Sequence, residues 1–87
     1  MKIVVIYRPQ SEHGSRVEEF LRELGRRTPA SIEKVNIDTR EGSAVADLYG
    51  LMEYPAILAI KDNGELAGSW VGDTLPLIDE VAGTARD

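Results

Sequence analysis

Tyr54-Pro55-Ala56-Ile57-Leu58-Ala59-Ile60-Lys61-Asp62-Asn63-Gly64-Glu65-Leu66-Ala67-Gly68-Ser69-Trp70-Val71 is the stretch that decides the fold. Tyr54 to Ile60 is an apolar run opened by a proline, which suits the start of a strand because proline has no N–H to give a ladder. Asp62-Asn63-Gly64 signals a hairpin, since Asn-Gly supplies positive φ at little steric cost. Glu65 to Val71 then reads as the returning strand. Its alternation places Leu66, Gly68 and Trp70 on one face and Ala67, Ser69 and Val71 on the other. Trp70 therefore either packs beneath a helix, the default for so large a ring, or stands on an edge strand as an exposed binding anchor.

Upstream, Lys2 to Tyr7 is β-branched and apolar on both alternating faces, the pattern of a central strand covered on two sides. Pro9 ends it. A helix is expected from about Glu12 to Arg27, with Val17, Phe20, Leu21 and Leu24 forming one apolar stripe. Ser11 is the expected N-cap, Glu18 and Arg22 sit four apart on the solvent face, and Gly25 and Pro29 mark the exit. Ile32 to Ile37 is the next strand, Asp38 to Ser43 a loop, and Ser43 to Tyr49 a short helix closed by Gly50. Downstream of the hairpin, Asp73 or Thr74 caps a last helix whose apolar face is Leu75, Ile78, Val81 and Ala82, with Pro76 tolerated in its first turn. The order is β-α-β-α-β-β-α. It predicts an α/β domain spanning residues 1–87, with a four-stranded mixed sheet: the first two strands parallel, the last two an antiparallel hairpin, and helices on both faces.

Composition limits the function. Hydrophobic residues make up 43 % and charged residues 29 % of the 87, a globular balance that argues against a disordered tail or fibrous repeat. Ten basic residues against fifteen acidic ones give a net charge of -5. That balance disfavours a phosphate backbone or an anionic membrane surface as partner, so no nucleic acid and no membrane are expected. No run is long enough for a membrane span or a signal-peptide core, and the expected location is cytoplasmic. The chain has no cysteine, which removes disulfides, thiolate metal sites and thiol–disulfide chemistry. A single histidine and scattered carboxylates without a calcium-loop pattern argue against a metal, and no cofactor is expected.

The order of elements, together with particular residues, resembles the thioredoxin-like superfamily in its short, glutaredoxin-like form over nearly the whole chain, most specifically in the second half. Val35-Asn36-Ile37-Asp38 looks like that family's strand ending in Asp, and Ala46-Asp47-Leu48-Tyr49-Gly50-Leu51 looks like its short helix and exit. Tyr54-Pro55 looks like its cis-proline strand opening, Lys61-Asp62-Asn63-Gly64-Glu65 like its hairpin turn, and Val71-Gly72 like the pair before its last helix. The resemblance implies a thioredoxin-like fold. It also implies a Cys-x-x-Cys motif at the start of the first long helix, and here the chain departs from it. One alignment puts Ser11-Glu12-His13-Gly14 in that slot and another puts Glu12-His13-Gly14-Ser15 there, and neither supplies a sulfur.

The resemblance thus leads to a redox-inactive domain, not an enzyme, that binds a protein or peptide. Its expected surface is Arg8, Ser11, Glu12, His13 and Gly14, with Tyr54, Pro55, Gly72 and Asp73. In the family the residue before the cis-proline leaves its main chain free to pair with an extended peptide or with glutathione, and Tyr54 holds that place. One alternative is a non-reactive binder of glutathione or a similar small thiol, held by the Asp73 and Thr74 amides at the head of the last helix. Asp73 would itself repel such an anion. The other alternative is a non-thiol enzyme using His13 with Ser11 or Ser15. Residues one or two apart do not face each other on a helix, and no Gly-x-Ser-x-Gly elbow is present, so helix capping is the simpler role for Ser11. The carboxylates and arginines of Glu18, Glu19, Arg22, Glu23 and Arg26 read as a solvated helix face.

Overall fold

The computed structural model describes residues 1–86. Strand β1 (Lys2–Tyr7), helix α1 (Gly14–Arg27), strand β2 (Ser31–Asn36), helix α2 (Arg40–Tyr49), strands β3 (Ala56–Ile60) and β4 (Leu66–Val71) and helix α3 (Ile78–Thr84) follow one another in the expected order. The sheet order is β2-β1-β3-β4. β1 pairs with β2 in parallel and with β3 antiparallel, and β3 pairs with β4 antiparallel. The two uninterrupted apolar strands, β1 and β3, are therefore the inner ones, as burial on both faces requires.

Alternation along β1 and β3 feeds two cores. Ile3, Val5, Tyr7 and Ile57 turn to one face and meet Val17, Phe20, Leu21 and Leu24 of α1 and Val81, Ala82 and Ala85 at α3. Val4, Ile6, Leu58 and Ile60 turn to the other and meet Val45 and Tyr49 of α2, with Leu51 and Tyr54 beyond it. Trp70 takes the first of its two expected places. It packs on the α1/α3 core and its indole N–H donates to Glu80 Oε2 at 3.1 Å. Gly68 makes room for it, because a Cβ there would stand 3.1 Å from the Trp70 ring and 3.3 Å from Thr84.

Several boundaries differ from the sequence reading, each for a local reason. α1 begins at Gly14, not Glu12, and has no side-chain cap, because Ser11 is held in the preceding turn. Its ion pairs join Glu23 to Arg26 and Arg27, and Arg27 to Asp79, rather than Glu18 to Arg22. α2 starts at Arg40, inside the expected loop. The Thr39 hydroxyl accepts from the Gly42 N–H, which is an N-cap followed by a glycine that must lie close to the Asn36 carbonyl. The hairpin is wider than a two-residue Asn-Gly turn. Gly64 alone takes positive φ (91°), the Gly64 N–H donates to Lys61 O and the Lys61 N–H to Glu65 O. A shift in register follows between Ala59 and Ile60. α3 begins only at Ile78 with Leu77 at its N-cap position, so neither Asp73 nor Thr74 caps it and Pro76 lies ahead of it.

Candidate functional site

The strand pairings bring the expected segments to one end of the sheet. Tyr7 pairs with Asn36, Ile6 with Ala56, and Ala56 with Val71. The residues that follow β1 and β2, precede β3 and follow β4 therefore emerge together: Arg8–Gly14, Asp38, Tyr54–Pro55 and Gly72–Asp73.

The Arg8–Gly14 loop is built on one carbonyl. Arg8 O accepts from both the Ser11 N–H (3.1 Å) and the Ser11 hydroxyl (2.6 Å), and the Gly14 N–H then donates to Ser11 O (3.1 Å). Gly14 is required because a side chain there would overlap the Pro9 carbonyl. His13 closes the loop from inside: its Nε2 accepts the Arg8 N–H at 3.3 Å, and its ring lies 6.5 Å from that of Tyr7. The Arg8 guanidinium reaches the other way and donates through Nε to both Asp38 oxygens (3.0 and 3.2 Å). The Asp38 N–H in turn donates to Asn36 Oδ1 at 2.9 Å. A shallow cleft of about 460 Å³ lies between Arg8–Ser11 on one wall and Asn36 and Asp38 on the other. Asp38 and Asn36 join the expected surface here. The signal for Asp38 was its place at the end of a strand, which says where the carboxylate lies but not that it meets Arg8.

This loop does not assemble a serine nucleophile. The Ser11 proton is committed to a carbonyl and the accepting nitrogen of His13 to a backbone N–H, so no hydrogen bond joins the two side chains. Ser15 lies in the first turn of α1, exposed, and no hydrogen bond joins it to His13 among the described residues. Beneath the loop, burial raises the Tyr7 hydroxyl above the ordinary tyrosine value of 10.0, and the Glu18 carboxylate raises it further. Among the described residues no three His, Asp or Glu side chains cluster as metal ligands would.

On the neighbouring strand the Tyr54–Pro55 bond is cis. Pro55 is fully buried and its carbonyl accepts the Gly72 N–H at 3.0 Å. The Tyr54 hydroxyl donates to Leu51 O at 3.2 Å, which anchors the ring over the α2 core. The Tyr54 main chain is not so occupied. It lies outside both strand pairings, and among the described residues it makes no turn bond. Gly72 has φ of 104°, a conformation side chains rarely adopt, and the Glu53 carboxylate stands 3.2 Å from where a Cβ would project. The amides of Asp73 and Thr74 do not head a helix, since α3 starts at Ile78 with Asp79 and Glu80 in its first turn. The helix-terminal anion site expected for a glutathione carboxyl is thus not formed there.

No family model matches this sequence, and no curated protein matches it. Solved structures do. Thioredoxin 1 of Thermosipho africanus TCF52B superposes with a TM-score of 0.74 at 13 % identity, over 99 % of this chain and 91 % of that one. Oxidised thioredoxin O2 of Arabidopsis thaliana gives 0.74 at 15 % identity, over 98 % and 71 %. The reduced thioredoxin pre-protein of Schistosoma mansoni gives 0.72 at 28 % identity, over 98 % and 77 %. The fold of this chain is thioredoxin-like, and the chain carries no cysteine with which to run thiol–disulfide exchange. No helix among the described residues is long and apolar enough to cross a membrane.

Proposed function

We propose that this cysteine-free, thioredoxin-like chain is a redox-inactive binding module that takes an extended peptide or protein segment beside Pro55. The observation that carries the reading is the unoccupied main chain of Tyr54 at the sheet end. A peptide laid antiparallel to residues 53–55 would gain backbone hydrogen bonds there without disturbing the ladder, which is strand addition on a short scale. The loop of Arg8, Ser11, Glu12, His13 and Gly14 would form the opposite wall, with Gly72 and Asp73 at its foot. Thermodynamically the loop suits a wall. The Arg8 main chain, the Ser11 hydroxyl and His13 Nε2 are already bonded within it, so a peptide need not compete for those groups. Arg8 keeps a half-exposed guanidinium, whose unused N–H groups can meet a peptide carbonyl or carboxylate.

Selection of extended peptides from a random display library on the folded protein, followed by amide shift mapping, tests the reading. The expected result is a set of shifts centred on Tyr54, Arg8 and His13, with affinity lowered at least tenfold, about 1.4 kcal/mol, in Arg8→Glu. Shifts confined to other segments, or selection of no peptide at all, would overturn it.

A further inference from the structure

The sheet has two open edges and they are unlike. β2 carries exposed Glu33 and Lys34 in its middle, the charged pattern that discourages a further strand. β4, Leu66-Ala67-Gly68-Ser69-Trp70-Val71, carries no charge. The register shift at its start bends away Leu66 and Ala67, but from Gly68 to Val71 the pairing with β3 is regular.

Hydrogen-bond direction along that half follows from one contact. The Gly72 N–H donates inward to Pro55 O, and inward and outward residues alternate in an antiparallel ladder. Trp70 and Gly68 therefore point their main-chain groups at β3, and Ser69 and Val71 point theirs away from the sheet. Both Ser69 and Val71 are exposed. No described segment covers them, for α3 lies over the Trp70 face and the core beneath α2 draws on β1, β2 and β3 but on no residue of β4.

Charge selects the occupant. Residues 1–61 hold nine acidic and nine basic side chains, whereas residues 62–87 hold six acidic and one basic. The whole net charge of the protein is thus placed on the segment that makes β4 and α3. Asp62 and Glu65 stand at one end of the edge, Asp73 at the other, and Asp79 and Glu80 on the helix behind it. A second copy of this chain is a poor fit: an antiparallel pairing centred on Ser69 sets Glu65 against Asp73, and a parallel one sets each carboxylate against its own copy.

We infer that the β4 edge at Ser69 and Val71 accepts an extended, uncharged peptide segment flanked by Lys or Arg. Its centre would pair with the outward N–H and C=O groups of Ser69 and Val71. Its basic flanks would lie against Asp62 and Glu65 at one end and Asp73 at the other. This site is separate from the Tyr54 groove, and either can stand without the other.

A synthetic peptide of alternating Val and Thr flanked by Lys-Arg pairs, compared with the same core flanked by Glu-Asp pairs, provides the probe. Trp70, the only tryptophan, lies within the edge strand and reports binding by fluorescence. The basic peptide should shift the Ser69 and Val71 amides and the Trp70 emission, and the acidic one should do neither. Ser69→Pro removes an outward N–H that the ladder does not use and should weaken binding about tenfold. If that variant loses its fold by circular dichroism, Glu65→Gln with Asp73→Asn replaces it and should weaken binding and flatten its salt dependence. Equal binding of both peptides, no binding of the basic one, or shifts at Tyr54 and Arg8 without Ser69 would each overturn the inference, the last while supporting the groove beside Pro55. A concentration-dependent dimer abolished by Ser69→Pro would overturn it in favour of self-pairing.

Discussion

The two faces of the sheet are packed to different degrees. On one face α1 and α3 lie side by side and close over Ile3, Val5, Tyr7 and Ile57, with Leu24, Val17 and Val81 fully buried between them. On the other, α2 is the one helix over Val4, Ile6, Leu58 and Ile60, helped by Leu51 and Tyr54. Leu48 on the outer side of α2, Met52 just after it and Val71 on the edge strand remain 76, 89 and 49 % exposed, while on the other side Leu77 at the head of α3 is 76 % exposed. Two helices over one half of the core and one over the other mean that stability is concentrated on the α1/α3 side. The α2 side and the adjoining edge keep apolar surface and unpaired backbone in reach of other molecules. The same chain thereby separates what holds it together from what it can offer.

The sharpest way to break this contrast is to make matched cavities on neighbouring residues of β3. Ile57→Ala empties a site walled by the α1/α3 core, and Leu58→Ala one beneath α2. Both side chains are at most 1 % exposed, so both losses belong in the range of about 2–5 kcal/mol. The face with one helix has more freedom to collapse on the gap. Ile57→Ala should therefore fall in the upper half of that range and Leu58→Ala in the lower, by chemical denaturation. The reverse order would mean that α2 is the more rigid cover.

Gly14→Ala probes the same α1 side at its outer end. A methyl group would strike the Pro9 carbonyl, so the loop or the first turn of α1 must move. About 1–3 kcal/mol should be lost, as overpacked sites lose. The amides of Arg8 and Ser11 should shift with it, since both bond within that loop. A change without cost would show that the loop floats free of α1.

A third effect is confined to alkaline solution. The Tyr7 hydroxyl is raised above 10.0 in the folded state by burial and by Glu18. The neutral ring is thus the form that folding favours. Its contribution is complete below pH 10 and is lost as pH climbs from there through the raised folded value. Tyr7→Phe should flatten this alkaline loss in a series of unfolding curves, leaving the slope below pH 10 unchanged. An identical alkaline limb in the variant would place the sensitivity elsewhere.

The elements were legible where one pattern had one meaning. β1, β3 and the α1 stripe could be read because uninterrupted β-branched runs and helical apolar spacing have few other uses. Gly50 was legible as a helix end and takes the left-handed conformation. Helix starts were not, because the residues that cap helices also make turns. Ser11 looks like a cap but folds back on Arg8 O, Thr39 performs the capping, and Asp73 and Thr74 precede a stretch that is not yet helix. Gly42 reads as loop in the sequence, yet it is the close contact that lets α2 approach the end of β2. At the sheet end, Arg8, His13 and Tyr54 were singled out from sequence. Their bonds were not visible, because the Arg8–Asp38 pair joins residues thirty apart in the chain and depends on the parallel register of β1 and β2. The outward direction of Ser69 and Val71 was equally hidden, since alternation assigns side chains to faces but leaves open which N–H groups the neighbouring strand uses.

The smallest expected effect is also the one that most directly tests whether the α2 side is free. Leu48 and Met52 present their side chains to solvent, so replacing both with Gln removes almost no buried area. The protein should retain its stability within about 0.5 kcal/mol, the ordinary range for surface substitutions. Glutamine keeps the helix propensity of position 48 close to that of leucine, so backbone preference contributes little there. The outcome therefore reports on burial alone. An unchanged denaturation midpoint together with reduced self-association at high concentration would show apolar surface that packs on nothing within its own chain. A loss above 1 kcal/mol would show instead that these side chains fold down onto the α2 core in solution. The outer side of α2 and the turn after it would then be packed surface, and the contrast with the α1/α3 side would fail.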